Sequence, residues 1–305
     1  MTVRCTGRYS HLAMHGLQHE EEITMTDTNR RQILKMIGAT TTAALGVAGP
    51  ARAEHSFDGH GPHRKRTFVL IHGAWQNGSA WDGVADALRE AGHAVEAPTL
   101  PGQNPGDVQS GIQFADYVDA VVATLRQLHR RAIVVGHSSA GMLLQAAAPR
   151  AAAAIEQIVF CNAFIMANGQ TQLDNIPADA AAGLTALAQQ NAGIVPFAPL
   201  EGFIRGALME GDPIEKQDAL MQALVDQPFS LFSTEVDTRR FEALNIPKAV
   251  VFCRRDHSAD YLGMAARLGQ YETVVADGSH EMLFSAPRAF TRALLALVAS
   301  GTCAR

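Results

Sequence analysis

The chain has 305 residues, 47% hydrophobic and 18% charged, with a net charge of −5. That suits one large α/β domain with a substantial core, and excludes fibrous, repetitive or disordered chains. Lys and Arg are dispersed, so no basic patch points to nucleic acid as a partner.

The N-terminus reads as an address. Asn29-Arg30-Arg31-Gln32 precedes a mildly apolar run from Met36 to Gly49 and a small-x-small site, Ala51-Arg52-Ala53. Together they resemble a twin-arginine export signal cleaved after Ala53. Residues 1–53 are therefore read as an N-terminal extension and export signal, with translation starting at Met1 or Met25. The expected early partner is the twin-arginine export machinery, and the mature protein is expected to be periplasmic or secreted, without a membrane span. Residues 54–66, with His55, His60 and His63, read as a polar linker rather than a metal site.

Thr67–Ile71 is a continuous apolar run, as expected of a strand buried on both faces of a parallel sheet; it ends in His72-Gly73-Ala74-Trp75. Helical periodicity from Ser79 to Ala91 places Trp81, Val84, Ala85 and Leu88 on one face, with Gly92 as the stop. A strand, Ala94–Pro98, a turn-rich loop from Thr99 to Gly106 and a helix over Ile112–Leu128 follow. The β-branched run Ala132–Val135 then stops at Gly136-His137-Ser138-Ser139-Ala140-Gly141, and a Met- and Leu-rich helix begins at once. This is a variant of the nucleophile elbow G-x-S-x-G, with Ala140 in place of the second glycine.

Ile155–Cys161 is another strand, after which the alternation breaks. From 169 to 244 the pattern gives helices near Ala178–Gln190 and Ile214–Val225, and no strand. The sheet resumes at Ile246–Cys253, which runs into Arg254-Arg255-Asp256. A helix over Leu262–Leu268 precedes the last strand, Glu272–Ala276, which runs into Asp277-Gly278-Ser279-His280-Glu281. Phe284–Val298 closes the chain as a helix. The core is thus read as 67–168 plus 245–305, and 169–244 as a helical cap insertion. The cysteines Cys5, Cys161, Cys253 and Cys303 lack C-x-x-C spacing, so no zinc or redox motif arises. No structural disulfide is expected, a Cys161–Cys253 bridge being the alternative.

Ser138, Asp256 and His280 each fall just past the end of a different core strand. Serine is a weak nucleophile at neutral pH, so an imidazole must take its proton, and a carboxylate on the other ring nitrogen fixes the tautomer. Asp260 and Asp237 are alternative acids; Asp256 is preferred because it follows the strand end most closely. His72 and His137 are expected to shape the loops. No metal or organic cofactor is called for.

Phe68-Val-Leu-Ile-His-Gly-Ala-Trp75, Trp81, Gly92-His-Ala-Val-Glu-Ala-Pro98, Leu100-Pro-Gly102, Gly136-His-Ser138 and Gly278-Ser-His280-Glu-Met-Leu283 together resemble the α/β-hydrolase branch of plant methyl-salicylate-type esterases and hydroxynitrile lyases. The resemblance covers Thr67 to Val298. It implies the α/β-hydrolase fold: a mostly parallel, doubly wound sheet, with a helical cap inserted after the strand that follows the nucleophile helix. It also implies a Ser138–Asp256–His280 triad and an oxyanion hole made by the backbone N–H groups of Ala74 and Ser139. The lyases of that branch carry Thr where this chain has Gly73, and Lys where it has Glu281. Hydrolysis of a small-molecule carboxylic ester through an acyl-enzyme is therefore expected. A lyase on the same triad and a non-catalytic binding protein are the alternatives. Trp75, Met166, Phe197, Phe203, Phe232 and Met282 are candidates for the substrate pocket, with plain core packing as the competing role. Monomer and homodimer both stay open.

Overall fold

Runs of β-branched and aromatic residues pair in parallel because each is apolar on both faces and is followed by a helix that covers one of them. The computed structural model describes residues 65–300, all within one structural unit. The export signal expected over 1–53 and nearly all of the linker lie outside the described residues, as do Cys5 and Cys303.

The first half runs β1 (Thr67–Ile71), α1 (Asp82–Glu90), β2 (Ala94–Glu96), α2 (Phe114–Arg126), β3 (Ala132–His137), α3 (Ala140–Ala147) and β4 (Ile155–Cys161). An insertion follows, with α4 (Ala178–Gln190), β5 (Ile194–Val195), α5 (Ile214–Ala223) and β6 (Gln227–Pro228). The sheet is completed by β7 (Lys248–Cys253), α6 (Tyr261–Ala265) and β8 (Glu272–Ala276), and the chain closes with α7 (Met282–Ser285) and α8 (Pro287–Ser300). The six-stranded sheet has the order β2-β1-β3-β4-β7-β8, and every neighbouring pair is parallel. The winding direction reverses between β1 and β3, which opens a crevice beyond their C-terminal ends.

Successive side chains of a strand face opposite sides, and β1 shows it. Phe68 and Leu70 pack with Leu88 of α1 and with Phe290 and Leu294 of α8. Val69 and Ile71 pack on the other face with Tyr117 and Val121 of α2 and Leu144 of α3. Each of these large side chains, fully removed from water, contributes about 1.5–3 kcal/mol.

Three local departures from the expected elements have physical causes. The helix expected from Ser79 starts as a 3₁₀ turn, Gly78–Trp81, capped by Asn77 Oδ1 accepting from Ser79 N at 2.9 Å, and becomes α-helical only at Asp82. The insertion does contain strands: Ile194 and Val195 pair antiparallel with Pro228 and Gln227. Two residues are too few to leave a periodicity. The closing helix breaks at Ala286, because Pro287 lacks an N–H and starts a new helix readily. Cys161 and Cys253 are free, buried thiols, and burial pushes both well above the usual thiol range. No helix among the described residues is long and apolar enough to cross a membrane.

Candidate active site

The β3–α3 junction forces Ser138 into a left-handed backbone conformation, φ 54°, which costs a non-glycine residue about 1 kcal/mol or more. Neighbouring backbone holds it there. Its N–H donates to the Cys161 carbonyl at 3.2 Å, and its carbonyl accepts from Gly141 N at 3.1 Å and Phe164 N at 3.0 Å. Glycine is needed where chains approach: a Cβ on Gly136 would come within 2.7 Å of the Leu144 side chain, and one on Gly141 would run into the Phe164 carbonyl oxygen. The close approach that the elbow motif assigns to its second glycine therefore falls on Gly141, while Ala140 is fully buried beside it. Ser138 itself stays partly exposed.

Asp256 and His280 follow β7 and β8. His280 Nδ1 lies 2.6 Å from Asp256 Oδ2, with both side chains buried. The other carboxylate oxygen, Oδ1, accepts from Ser258 N at 3.0 Å and Ser258 Oγ at 2.7 Å. Burial opposes the charge on Asp256, but His280 and the Ser258 donors outweigh it and hold the carboxyl below its usual range. Burial likewise opposes protonation of His280; Asp256 and then Glu281 overcome it, so the imidazole is raised above its ordinary value. Asp260 instead caps α6 through Gly263 N at 2.9 Å, and Asp237 pairs with Arg239 on the surface. Tyr261 stacks on the His280 ring at 5.9 Å, its hydroxyl 3.1 Å from Ser258 Oγ.

The loop after β1 passes directly over the elbow, since a Cβ on Gly73 would lie 2.9 Å from Ser138 Cβ. His72 fixes this loop: its Nε2 accepts from Leu100 N at 3.1 Å, so Nδ1 carries the proton and donates to the Gly73 carbonyl at 2.9 Å. Burial holds His72 down to about 4, neutral under ordinary conditions. Trp75, at φ 60°, ties the loop to the insertion three times. Its N–H donates to Gln227 Oε1 at 3.1 Å, its indole Nε1 donates to the Val195 carbonyl at 3.0 Å, and its carbonyl accepts from Val225 N at 2.7 Å.

Behind the pair lies a buried polar network. Gln76 Oε1 accepts from Gly73 N at 3.2 Å and sits 3.3 Å from His137 Nδ1, while Gln76 Nε2 donates to Glu281 Oε2 at 2.6 Å. His137 Nε2 lies 3.1 Å from the His280 carbonyl. Burial pushes Glu281 up to about 7, and burial with the neighbouring His280 keeps His137 well below its usual range. His137, His280 and Glu281 bring potential ligand atoms within 4.8 Å of one another, but both His137 nitrogens, His280 Nδ1 and the Glu281 carboxylate already have the partners just described. The cluster therefore serves as a hydrogen-bonded support.

Trp75, Met166 and Phe232 are buried in one core cluster with Phe197 packed against it, and the Trp75 and Phe232 rings lie 5.1 Å apart. Met282 belongs to the helix layer on the sheet's other face, and Phe203 is 45% exposed. Gln76, Gln227, Ser258 and Tyr261 were not singled out in the sequence. Of these only Ser258 carries a local signal, an Asp-x-Ser turn in which Asp256 accepts from the residue two positions on.

Residues 68–293 match the alpha/beta hydrolase family, to which the chain belongs. A carbendazim hydrolyzing esterase from Nocardioides sp. (strain SG-4G) is 34% identical over 113 residues, 36% of this chain and 47% of that protein. An alpha-hydroxynitrile lyase from Arabidopsis thaliana is 34% identical over 106 residues, 33% of this chain and 41% of that protein. The alignments thus span less than half of either relative. An extracellular alpha/beta-hydrolase from a Paenibacillus species, described as sharing structural and functional homology with tobacco salicylic acid binding protein 2, superposes with a TM-score of 0.71. It is 25% identical, and the match covers 76% of this chain and 98% of that one.

Proposed function

We propose that the chain is a serine hydrolase that cleaves a small-molecule carboxylic ester. The observation that carries this is the buried 2.6 Å His280–Asp256 pair on the same edge of the sheet as a strained, partly exposed Ser138. With Nδ1 committed to Asp256, Nε2 is the ring's proton acceptor. Ser138 Oγ attacks the ester carbonyl as His280 takes its proton, and the alcohol leaves with that proton. Water, activated by the same imidazole, then hydrolyses the acyl-enzyme. The N–H groups of Ala74 and Ser139 have no hydrogen-bond acceptor among the described residues, and as oxyanion donors each is worth about 3–4 kcal/mol of transition-state stabilisation. Named esterases among the relatives support ester substrates. The lyase reading is weaker: at Gly73 any side chain would press on Ser138. Export by the twin-arginine route belongs to the same proposal and rests on Arg30-Arg31 and Ala51-Arg52-Ala53.

The test is to treat purified protein with a fluorophosphonate and locate the adduct by peptide mass. One adduct, on Ser138, together with hydrolysis of p-nitrophenyl acetate, supports the proposal. A folded protein that takes no adduct and hydrolyses no p-nitrophenyl ester overturns it.

Glu281 makes a second expectation. His280 acts as base only when neutral, so kcat/KM falls as pH drops through its raised value. Glu281→Gln keeps an acceptor for Gln76 but removes negative charge beside His280. The acid limb of the kcat/KM profile should move down by about 0.5–1 pH unit, and an unmoved limb would rule out that electrostatic role.

A further inference from the structure

Asp212 stands in the insertion, in the turn before α5, with its carboxylate buried to 4% exposure. Its two oxygens reach in different directions. Oδ2 accepts from Ser279 Oγ at 2.6 Å, and Oδ1 accepts from Arg255 Nη2 at 2.9 Å. Ser279 is the residue before His280, and Arg255 the residue before Asp256. The two loops also touch directly, Arg255 N donating to the Gly278 carbonyl at 2.9 Å, and the insertion holds the histidine loop a second time where Glu281 N donates to the Leu208 carbonyl at 3.2 Å. Gly211, at φ 72°, supplies the left-handed turn that carries Asp212, and the Arg255 side chain lies against it.

We propose that Asp212 is a positioning residue, a single carboxylate of the insertion that clamps the Asp256 and His280 loops to each other and so sets the spacing of the reacting pair. The inference rests on the hydrolase reading above. A buried carboxylate is stable only while its oxygens are paired, and both of its partners here are one residue from the groups that must meet. A charge-assisted bond of 2.6 Å tolerates little displacement, and a misplacement of about 1 Å near a reacting centre costs up to about a hundredfold in rate. The clamp also makes the insertion part of the machinery that aligns the base.

The clamp predicts that Asp212→Asn lowers kcat for p-nitrophenyl acetate and the rate of fluorophosphonate labelling about tenfold, with KM changed less than twofold. Ser279→Ala, which removes one arm, should cost less, and the double variant no more than Asp212→Asn alone, since both act through one bond network. The far-downfield proton resonance of His280 Nδ1, sharp in the parent, should broaden or vanish in Asp212→Asn. A parental rate and an unchanged resonance in that variant would overturn the clamp, as would additive losses in the double variant. If Asp212→Asn does not fold, Ser279→Ala and Arg255→Gln each release one loop and must show the same resonance change; a sharp parental signal in both would sink the proposal. A parent that takes no label overturns the hydrolase reading instead, while the resonance still reports on the clamp.

Discussion

Ser138→Ala should lower kcat toward p-nitrophenyl esters by about a million-fold, to the level left by binding and the proposed oxyanion donors alone. In the proposed mechanism the serine supplies the only covalent bond that the reaction makes to the protein, so nothing else in the site would replace it. Alanine fits: Ser138 is held by its own backbone bonds to Cys161, Gly141 and Phe164, none of which uses the side chain. Alanine and serine also bear the same strain at φ 54°. The variant should therefore melt within a degree or two of the parent and bind ester normally. Steady-state rates, with thermal unfolding as the control, check this; a loss of under a hundredfold would mean that another group attacks.

Asp256→Asn should cost about ten-thousand-fold in kcat, with little change in KM. The surroundings decide which way the amide points. Oδ1 of Asp256 accepts two hydrogen bonds from Ser258, so in the variant the amide oxygen stays there and the NH₂ group faces His280. Nδ1 must then become an acceptor, and the proton moves to Nε2, where it blocks removal of a proton from Ser138. Ser258→Ala in the same background removes the Oγ donor and leaves the backbone N–H to orient the amide, so it should restore no more than a small part of the rate. A variant with more than a tenth of parental kcat would remove Asp256 from the mechanism.

What was legible in the sequence is what local chemistry dictates. β1, β3, β4, β7 and β8 each carry a short apolar run, Phe68–Ile71, Ala132–Val135, Ile158–Cys161, Ala249–Cys253 and Val274–Ala276, that stops at a polar residue or Gly, so their C-terminal ends could be read closely, and with them the places of Ser138, Asp256 and His280. Asp256 is preferred to Asp260 for its distance to a strand end, and it is Asp256 whose Oδ2 lies 2.6 Å from His280 Nδ1, while Asp260 is occupied as the cap of α6. The supporting polar groups were not legible. Gln76 meets Glu281 across 205 positions, and Trp75 meets Gln227 across 152. No periodicity encodes a glutamine whose partner lies on another layer of the fold. The aromatic and Met residues offered as pocket candidates were ambiguous for the opposite reason: apolar residues fill cores and pockets alike, and Phe232 and Met166 are fully packed.

The three bonds from Trp75 to the insertion bear on how such a protein can change. If the insertion were an independent module, a different one could be exchanged onto the same sheet to recognise a different molecule. Here the exchange would strip Gln227, Val195 and Val225 from the loop that carries Ala74, leaving a left-handed tryptophan with no restraint. On this scaffold a new specificity would therefore come from point changes on the existing insertion, or from replacing insertion and β1 loop together as one block.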